Sequence, residues 1–297
     1  MQRYRFKKID AFAKGHSTGN PAGCVYLPRE DALTAESMQQ IARELAGCVN
    51  EVVFLFPDDG HTGLRFFSAE REVAFCGHGI IAAMYDRIKN DPVLSVDPVT
   101  RIHVGNQELL IRNEIAKADS IFISAPQPVK EKLSVSHDGI AAALRIAPGD
   151  ISEKHHISCI NAGLSTLIVP VEALDTLLSI HPDQQNLREF CLANEIEIIL
   201  VFSTSTSIAG NRYRTRVFAP IFGYLEDPAT GSGNAALGYY LLNEGTWDGR
   251  MIAIEQGKSR ENPNIIRLVS DTSKVQRSVF FGGNAVVRIE GEYLLHP

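Results

Sequence analysis

Two short segments limit what this chain can fold into. Gly79–Arg87 and Gly233–Leu242 are apolar nearly all round. A surface helix hides one stripe, whereas a helix that is apolar on every side must be enclosed on every side. Each segment follows a strand-like stretch containing a phenylalanine, Phe67 or Phe218, and each begins at the second glycine of a Gly-x-Gly. Cys76-Gly77-His78-Gly79-x-x-Ala82-Ala83-x-Tyr85 aligns with Thr230-Gly231-Ser232-Gly233-x-x-Ala236-Leu237-x-Tyr239, half the chain away. The pattern predicts an internal duplication in the α+β class: two similar halves, each a barrel-like, mostly antiparallel sheet around a central helix. The prolines of Ala125-Pro126-Gln127-Pro128 break the pattern between them. The expected halves are 1–125 and 126–285, with the C-terminal strand 286–297 a candidate to rejoin the first.

The remaining pattern suits sheets around helices. Short runs rich in β-branched and aromatic residues, such as Arg3–Phe12, Glu51–Phe56, Gly63–Phe67, Ile196–Ser203 and Arg212–Phe218, read as strands. Thr34–Ala46 reads as an amphipathic helix capped by Thr34, with Met38, Ile41, Ala42 and Leu45 on one face. His137–Leu144 and Leu187–Ala193 are further helix candidates.

A net charge of −6 over 297 residues argues against a binder of nucleic acid or an anionic membrane, both of which need a basic face. The N-terminus alternates charged and apolar residues and has no apolar core of the kind a secretory leader carries. Five scattered cysteines with no CxxC pair read as free thiols, so a cytoplasmic location is expected.

The chemistry-bearing residues gather at the two helix starts. A Gly-x-Gly start leaves N–H groups unpaired at the positive end of the dipole, which favours a carboxylate or an enolate-like anion. Tight turning alone is the competing reading of these glycines. Glu51 leads the run Val-Val-Phe-Leu-Phe, where an apolar setting favours a general base. A solvated strand-end glutamate is the alternative. His78 sits between the glycines of the first start and Asp227 just ahead of the second; a capping histidine and an Asx turn are the competing readings. Ser232 reads equally as a helix N-cap and as a substrate ligand. Neither start has the full dinucleotide spacing, since Ala82 and Ala236 replace the third glycine. Ser232 lacks the G-x-S-x-G elbow. His155-His156-x-x-Cys159 is set aside as a metal cluster because neighbours on a strand point to opposite faces.

Taken in order, Asp10-Ala11-Phe12, Gly19-Asn20-Pro21-Ala22-Gly23, Asn50-Glu51-Val-Val-Phe54, Glu72-Val-Ala-Phe75-Cys76-Gly77-His78, Arg216-Val-Phe218-Ala219-Pro220, Glu226-Asp227-Pro228-Ala229-Thr230-Gly231-Ser232 and Gly282-Gly283-x-Ala285-Val286 with Gly291-Glu292 resemble the phenazine-biosynthesis isomerase (PhzF-like) family from end to end. The resemblance implies a diaminopimelate-epimerase-like fold, a homodimer, and catalysis with no cofactor or metal on a small carboxylate. It implies Glu51 as general acid/base with His78 and Asp227 as its catalytic partners. Ser232 lines the site, the backbone at Gly77 and Gly231 holds substrate anions, and Asn20, Asn50 and Cys76 complete the substrate-binding set. Two departures reshape the pocket. Asn50 stands where the family commonly has serine, and Gly79-Ile80-Ile81 where it often has Ala-Thr or Pro-Thr, so a substrate other than the phenazine intermediate is expected. Racemases of this fold use a cysteine at each helix start; here the second place holds Thr230, whose hydroxyl is too weak an acid. The expected reaction is proton transfer by one carboxylate, against an amino-acid epimerase or a catalytically silent binding protein.

Overall fold

The computed structural model describes residues 1–271 and 277–296. Its contacts fall into two units, Met1–Ser124 together with the residues from Gly282 on, and Ala125–Phe281. The first carries β1 (Gln2–Ala11), β2 (Asn20–Tyr26), α1 (Ala35–Glu44), β3 (Glu51–Asp58), β4 (His61–Ser68), β5 (Glu72–Val73), α2 (Gly77–Asn90), β6 (Val99–Val104), β7 (Gln107–Asn113), α3 (Ile115–Ala118) and β8 (Ile121–Ser124). The second carries β9 (Val129–Glu131), α4 (His137–Leu144), β10 (Ser158–Asn161), β11 (Ser165–Pro170), α5 (Leu174–Ser179), α6 (Gln184–Ala193), β12 (Ile198–Ser203), β13 (Tyr213–Phe218), β14 (Glu226–Asp227), α7 (Gly231–Asn243), β15 (Ile252–Gln256) and β16 (Asn264–Asp271). β17 (Ser278–Gly283) carries the chain back, and β18 (Ala285–Leu295) pairs with β1. The last residue of the expected C-terminal strand, Pro297, lies outside the described residues.

In the first unit the strands pair in the order β18–β1–β2–β3–β4–β6–β7–β8. Only β2·β3 and β4·β6 are parallel. In the second, the order β9–β10–β11–β12–β13–β15–β16 repeats this scheme, with β11·β12 and β13·β15 parallel. The two-residue strands β5 and β14 pair with the ends of β4 and β13 in matching positions. The expected duplication is therefore present in the topology itself.

Each ladder encloses its helix. α2 packs against β1, β2, β3, β8 and β18, and α7 against β10, β11, β12 and β16. Every residue of α7 except Ser232 and Asn243 is buried. Each buried aliphatic side chain contributes about 1.5–3 kcal/mol, so enclosure of the helix adds to the stability of each half. α2 also buries Asp86. It is compensated by the buried Lys7 Nζ at 2.7 Å and by the Tyr26 hydroxyl, which donates at 2.9 Å.

Both central helices start two residues earlier than the apolar pattern suggests, at Gly77 and Gly231. The first helical bonds run from Ile80 N–H to Cys76 O and from Asn234 N–H to Thr230 O. Cys76 and Thr230 are thus the N-caps, so neither His78 nor Ser232 has the capping role that was one reading of it. α1 starts where expected: Thr34 Oγ1 accepts from the Ser37 N–H, and Met38, Ile41 and Ala42 are buried.

Candidate active site

Glu51 is the first residue of β3 and lies opposite Ala22 in the parallel β2·β3 pairing. The entry to β3 is pinned from two sides. The Asn50 N–H donates to Pro21 O at 3.2 Å, and Asn50 Nδ2 donates to Oδ1 of the buried Asn20 at 3.0 Å. The first turn of α2 closes onto this strand because Gly79 has no side chain. A Cβ there would stand 2.9 Å from both Val53 Cγ2 and Cys76 Sγ. Neither this glycine nor Gly231 has a positive φ, so close packing rather than tight turning explains them. At Gly231 a Cβ would meet the Phe281 ring at 2.3 Å.

This packing brings three reactive side chains together. His78 Nε2 lies 3.1 Å from Glu51 Oε2. Cys76 Sγ lies 3.6 Å from His78 Nδ1 and 3.9 Å from Nε2. The ligand-type atoms of all three residues fall within 4.8 Å of one another. Cys76 is buried, while the side chains of His78 and Glu51 are 13% and 20% exposed. The approach of His78 to Glu51 is close but poorly angled, so Glu51 Oε2 is buried without a formed hydrogen bond. A carboxylate oxygen held this way keeps its lone pairs for something else.

Burial alone lowers the pKa of His78. The Cys76 sulfur and the Glu51 carboxylate overcome it and hold the imidazole well above its usual value. Burial pushes the Cys76 thiol up as well. At neutral pH the thiol therefore keeps its proton. By helix geometry, the N–H groups of Gly77 and His78 have no acceptor within α2. They add donors and the positive end of the dipole at the same place.

The second unit holds Asp227, Gly231 and Ser232. Asp227 is buried at the end of β14 and accepts from the Thr230 hydroxyl. The fully buried Gln256, last residue of β15, ties the helix start together. Its Nε2 donates to Asp227 O at 2.9 Å and to Thr230 Oγ1 at 3.0 Å, and its Oε1 accepts from the Thr230 N–H and from Asn234 Nδ2. Ser232 is half-buried on the first turn of α7. Sequence reasoning missed Gln256 and Asn234, since a glutamine ending a strand carries no mark of burial; the apolar Ile-Ala-Ile before it was the available hint. His155 and His156 are placed elsewhere: the ring of His155 packs on Phe202, and the His156 carbonyl accepts from Tyr240.

The PhzC-PhzF family model, described as phenazine biosynthesis-like protein, matches residues 9–291. An uncharacterized isomerase of Clostridium acetobutylicum is 30% identical, covering 100% of both chains. The trans-2,3-dihydro-3-hydroxyanthranilate isomerase of Pseudomonas fluorescens is 26% identical over 97% of this chain and 98% of its own. The crystal structure of a phenazine biosynthesis protein of the PhzF family from Bacillus anthracis superposes with a TM-score of 0.86 at 24% identity, covering 99% of this chain and 100% of that one, so the fold is shared. The chain belongs to the PhzC-PhzF family of phenazine biosynthesis-like proteins, and it is an isomerase.

Proposed function

We propose that the protein moves a proton between carbons of a small carboxylate- or amino-acid-like substrate, without a cofactor, with Glu51 as the general acid/base. The observation that carries this reading is the Glu51 Oε2 atom, buried, free of a formed hydrogen bond and 3.1 Å from the His78 imidazole. Such an oxygen is available to take a proton from carbon and return it. The positive charge of His78 offsets the carboxylate before transfer and the substrate anion after it. The unpaired N–H groups at the start of α2 extend that stabilisation to a substrate carboxylate. In the second unit the same reading assigns Asp227 to catalysis and Gly231 and Ser232 to substrate binding. Asn20, Asn50, Cys76 and Gly77 complete the binding set.

The relative from Pseudomonas fluorescens is named for a cyclic dihydro-hydroxy amino acid. A substrate of that class, altered to suit Asn50 and Ile80, fits the proposal. The protein would work as a cytoplasmic homodimer; among the described residues no helix is long and apolar enough to cross a membrane. An epimerase using a thiol at each helix start lacks its second acid, because the Thr230 hydroxyl is engaged by both Asp227 and Gln256.

The test is solvent exchange. Wild type and Glu51→Gln are incubated in heavy water with amino acids and cyclic hydroxy or dihydro acids, and deuterium uptake is followed by NMR. Uptake at one carbon with wild type only is expected. Equal uptake by both proteins sinks Glu51 as the base, and binding of a substrate without uptake favours a silent binding protein.

A further inference from the structure

We propose that Glu51, His78 and Cys76 form a binding site for one thiophilic divalent cation, Zn²⁺ first among them, and that the bound ion silences the proton-transfer chemistry. Among the described residues these three make the one group of His, Cys and acidic side chains close enough to share an ion. They offer one sulfur, one nitrogen and one oxygen, a set that suits a borderline-soft ion and not Mg²⁺ or Ca²⁺, which require several oxygens.

The distances agree with this choice. Bonds of about 2.0–2.3 Å in a tetrahedral zinc site leave the ligand atoms roughly 3.3–3.6 Å apart. The Nε2–Oε2 separation is 3.1 Å and the Sγ–Nε2 separation 3.9 Å. All three ligand atoms lie within 4.8 Å of one another, so side-chain rotation alone draws them around one ion. Glu51 Oε2 is also buried with no formed hydrogen bond, and its 3.1 Å approach to the His78 ring is the one contact the ion replaces at that ligand. Three protein ligands leave the fourth position to water. The partly exposed carboxylate and imidazole mark the open side, with the buried sulfur behind them. The ligands come from a strand start and a helix start, and their backbones are fixed by the pairing of β2 with β3 and by the packing of Gly79 on Val53.

Binding releases the thiol proton of Cys76 and the proton from the coordinating nitrogen of His78 to the solvent, and nothing is oxidised or reduced. The ion occupies the oxygen that Glu51 needs for proton transfer. This silencing rests on the role proposed for Glu51; the binding itself does not.

The experiment titrates reduced protein with Zn²⁺ against a chromophoric chelator and, separately, with Co²⁺, whose thiolate complex has a charge-transfer band. One equivalent is expected. Cys76→Ser and Glu51→Gln should each weaken binding by about ten- to a hundredfold or more, the loss that disturbing even an outer partner of a metal site causes. Cys48→Ser is the control, because Cys48 is exposed and lies outside the group. Circular dichroism checks that each variant is folded. Should Cys76→Ser not fold, the thiolate band of Co²⁺ in wild type and its loss in Glu51→Gln carry the test. Binding that survives both site substitutions, binding that disappears with Cys48→Ser, or no competition with the chelator would each overturn the site. Zn²⁺-loaded protein should stop solvent exchange into substrate and recover it on chelation. Binding with exchange intact would leave the ion site standing and overturn the silencing.

Discussion

At the start of α2 the N-cap is Cys76, the next side chain is His78, and the facing strand β3 opens with Glu51. At the start of α7 these places hold Thr230, Ser232 and Ile198, the first residue of β12. The register supports the equivalence: Val52 pairs with Phe67 as Ile199 pairs with Phe218. Both helices close onto their strands through glycine, Gly79 against Val53 and Gly233 against Ile198. One backbone device therefore serves twice, with different contents. In the first unit the close approach brings a carboxylate, an imidazole and a thiol into contact. In the second the helix start is tied by Gln256, and the strand facing it is apolar. The lesson is that the duplicated fold supplies the same close approach of strand and helix start, while a few side chains decide whether reactive chemistry stands there.

The sharpest way to break this comparison is to remove the carboxylate that the second unit lacks. Glu51→Gln is expected to lower turnover by about 10²–10⁴, the usual contribution of a general acid/base. It also removes one of the two neighbours that raise the His78 pKa, which gives a readout without substrate. Burial lowers the His78 pKa, but its neighbours raise it well above the unfolded value. The stability it contributes is complete below about pH 6.5 and is lost as pH rises through the folded pKa. The raised Cys76 thiol acts in the same direction at higher pH. Wild-type stability, followed by urea unfolding at several pH values, should fall from neutrality upward, and more gently in Glu51→Gln. An unchanged slope would deny the coupling of His78 to Glu51.

A second repeated device differs in burial. Arg65 makes a two-pronged pair with Glu72 and packs over the Phe67 ring, and Arg216 does the same with Glu226 over Phe218. Arg216 and Glu226 are 3% and 17% exposed, and the guanidinium also donates to the carbonyls of Leu177, Leu178 and Ile180. Glu226→Ala leaves this cation buried without its counter-charge. The expected loss is about 3–5 kcal/mol by urea denaturation; a loss below 1 kcal/mol would show that the three carbonyls suffice.

Much of this was legible in the sequence, for identifiable reasons. Helices that are apolar all round have few places to go, so α2 and α7 announced both the enclosure and the duplication. Glu51 stood out because a carboxylate at the head of Val-Val-Phe-Leu-Phe breaks the pattern. What the sequence concealed was contact across the chain. Gln256 reads as an ordinary strand end; in the fold it lies opposite Thr215 in the parallel β13·β15 pairing and hydrogen-bonds Thr230. The proximity of Glu51 to Cys76 and His78 depends on how closely α2 packs on β3, which no local pattern encodes. The two-residue strands β5 and β14 are too short to show a period, and the last residues of β13 and β4 supply the pairing that defines them.

The close packing itself can be tested by adding one methyl group. Gly231→Ala places a Cβ 2.3 Å from the Phe281 ring. An overpacked site of this kind costs about 1–3 kcal/mol, to be read as a fall in the urea midpoint at unchanged slope. A neutral outcome would mean that the Phe281 ring moves aside, and that the glycine at the second helix start is not required by packing.

The smallest effect is expected from the partner of the Glu226 substitution. Glu72 is 45% exposed and Arg65 23% exposed, so both ends of that pair already reach water. Solvent screens their attraction and rehydrates Arg65 when the carboxylate is lost, and surface pairs of this kind contribute about 0–1 kcal/mol. Glu72→Ala should therefore shift stability by no more than about 1 kcal/mol, less still at high salt. The ratio of the two losses, measured side by side, weighs a buried pair with three added carbonyl contacts against an exposed one, because strand position and bidentate geometry are the same in both units. If Glu72→Ala were as damaging as Glu226→Ala, the pair would be holding β5 to β4 rather than merely decorating it. The lead-in to Cys76 and His78 would then depend on the Arg65–Glu72 pair.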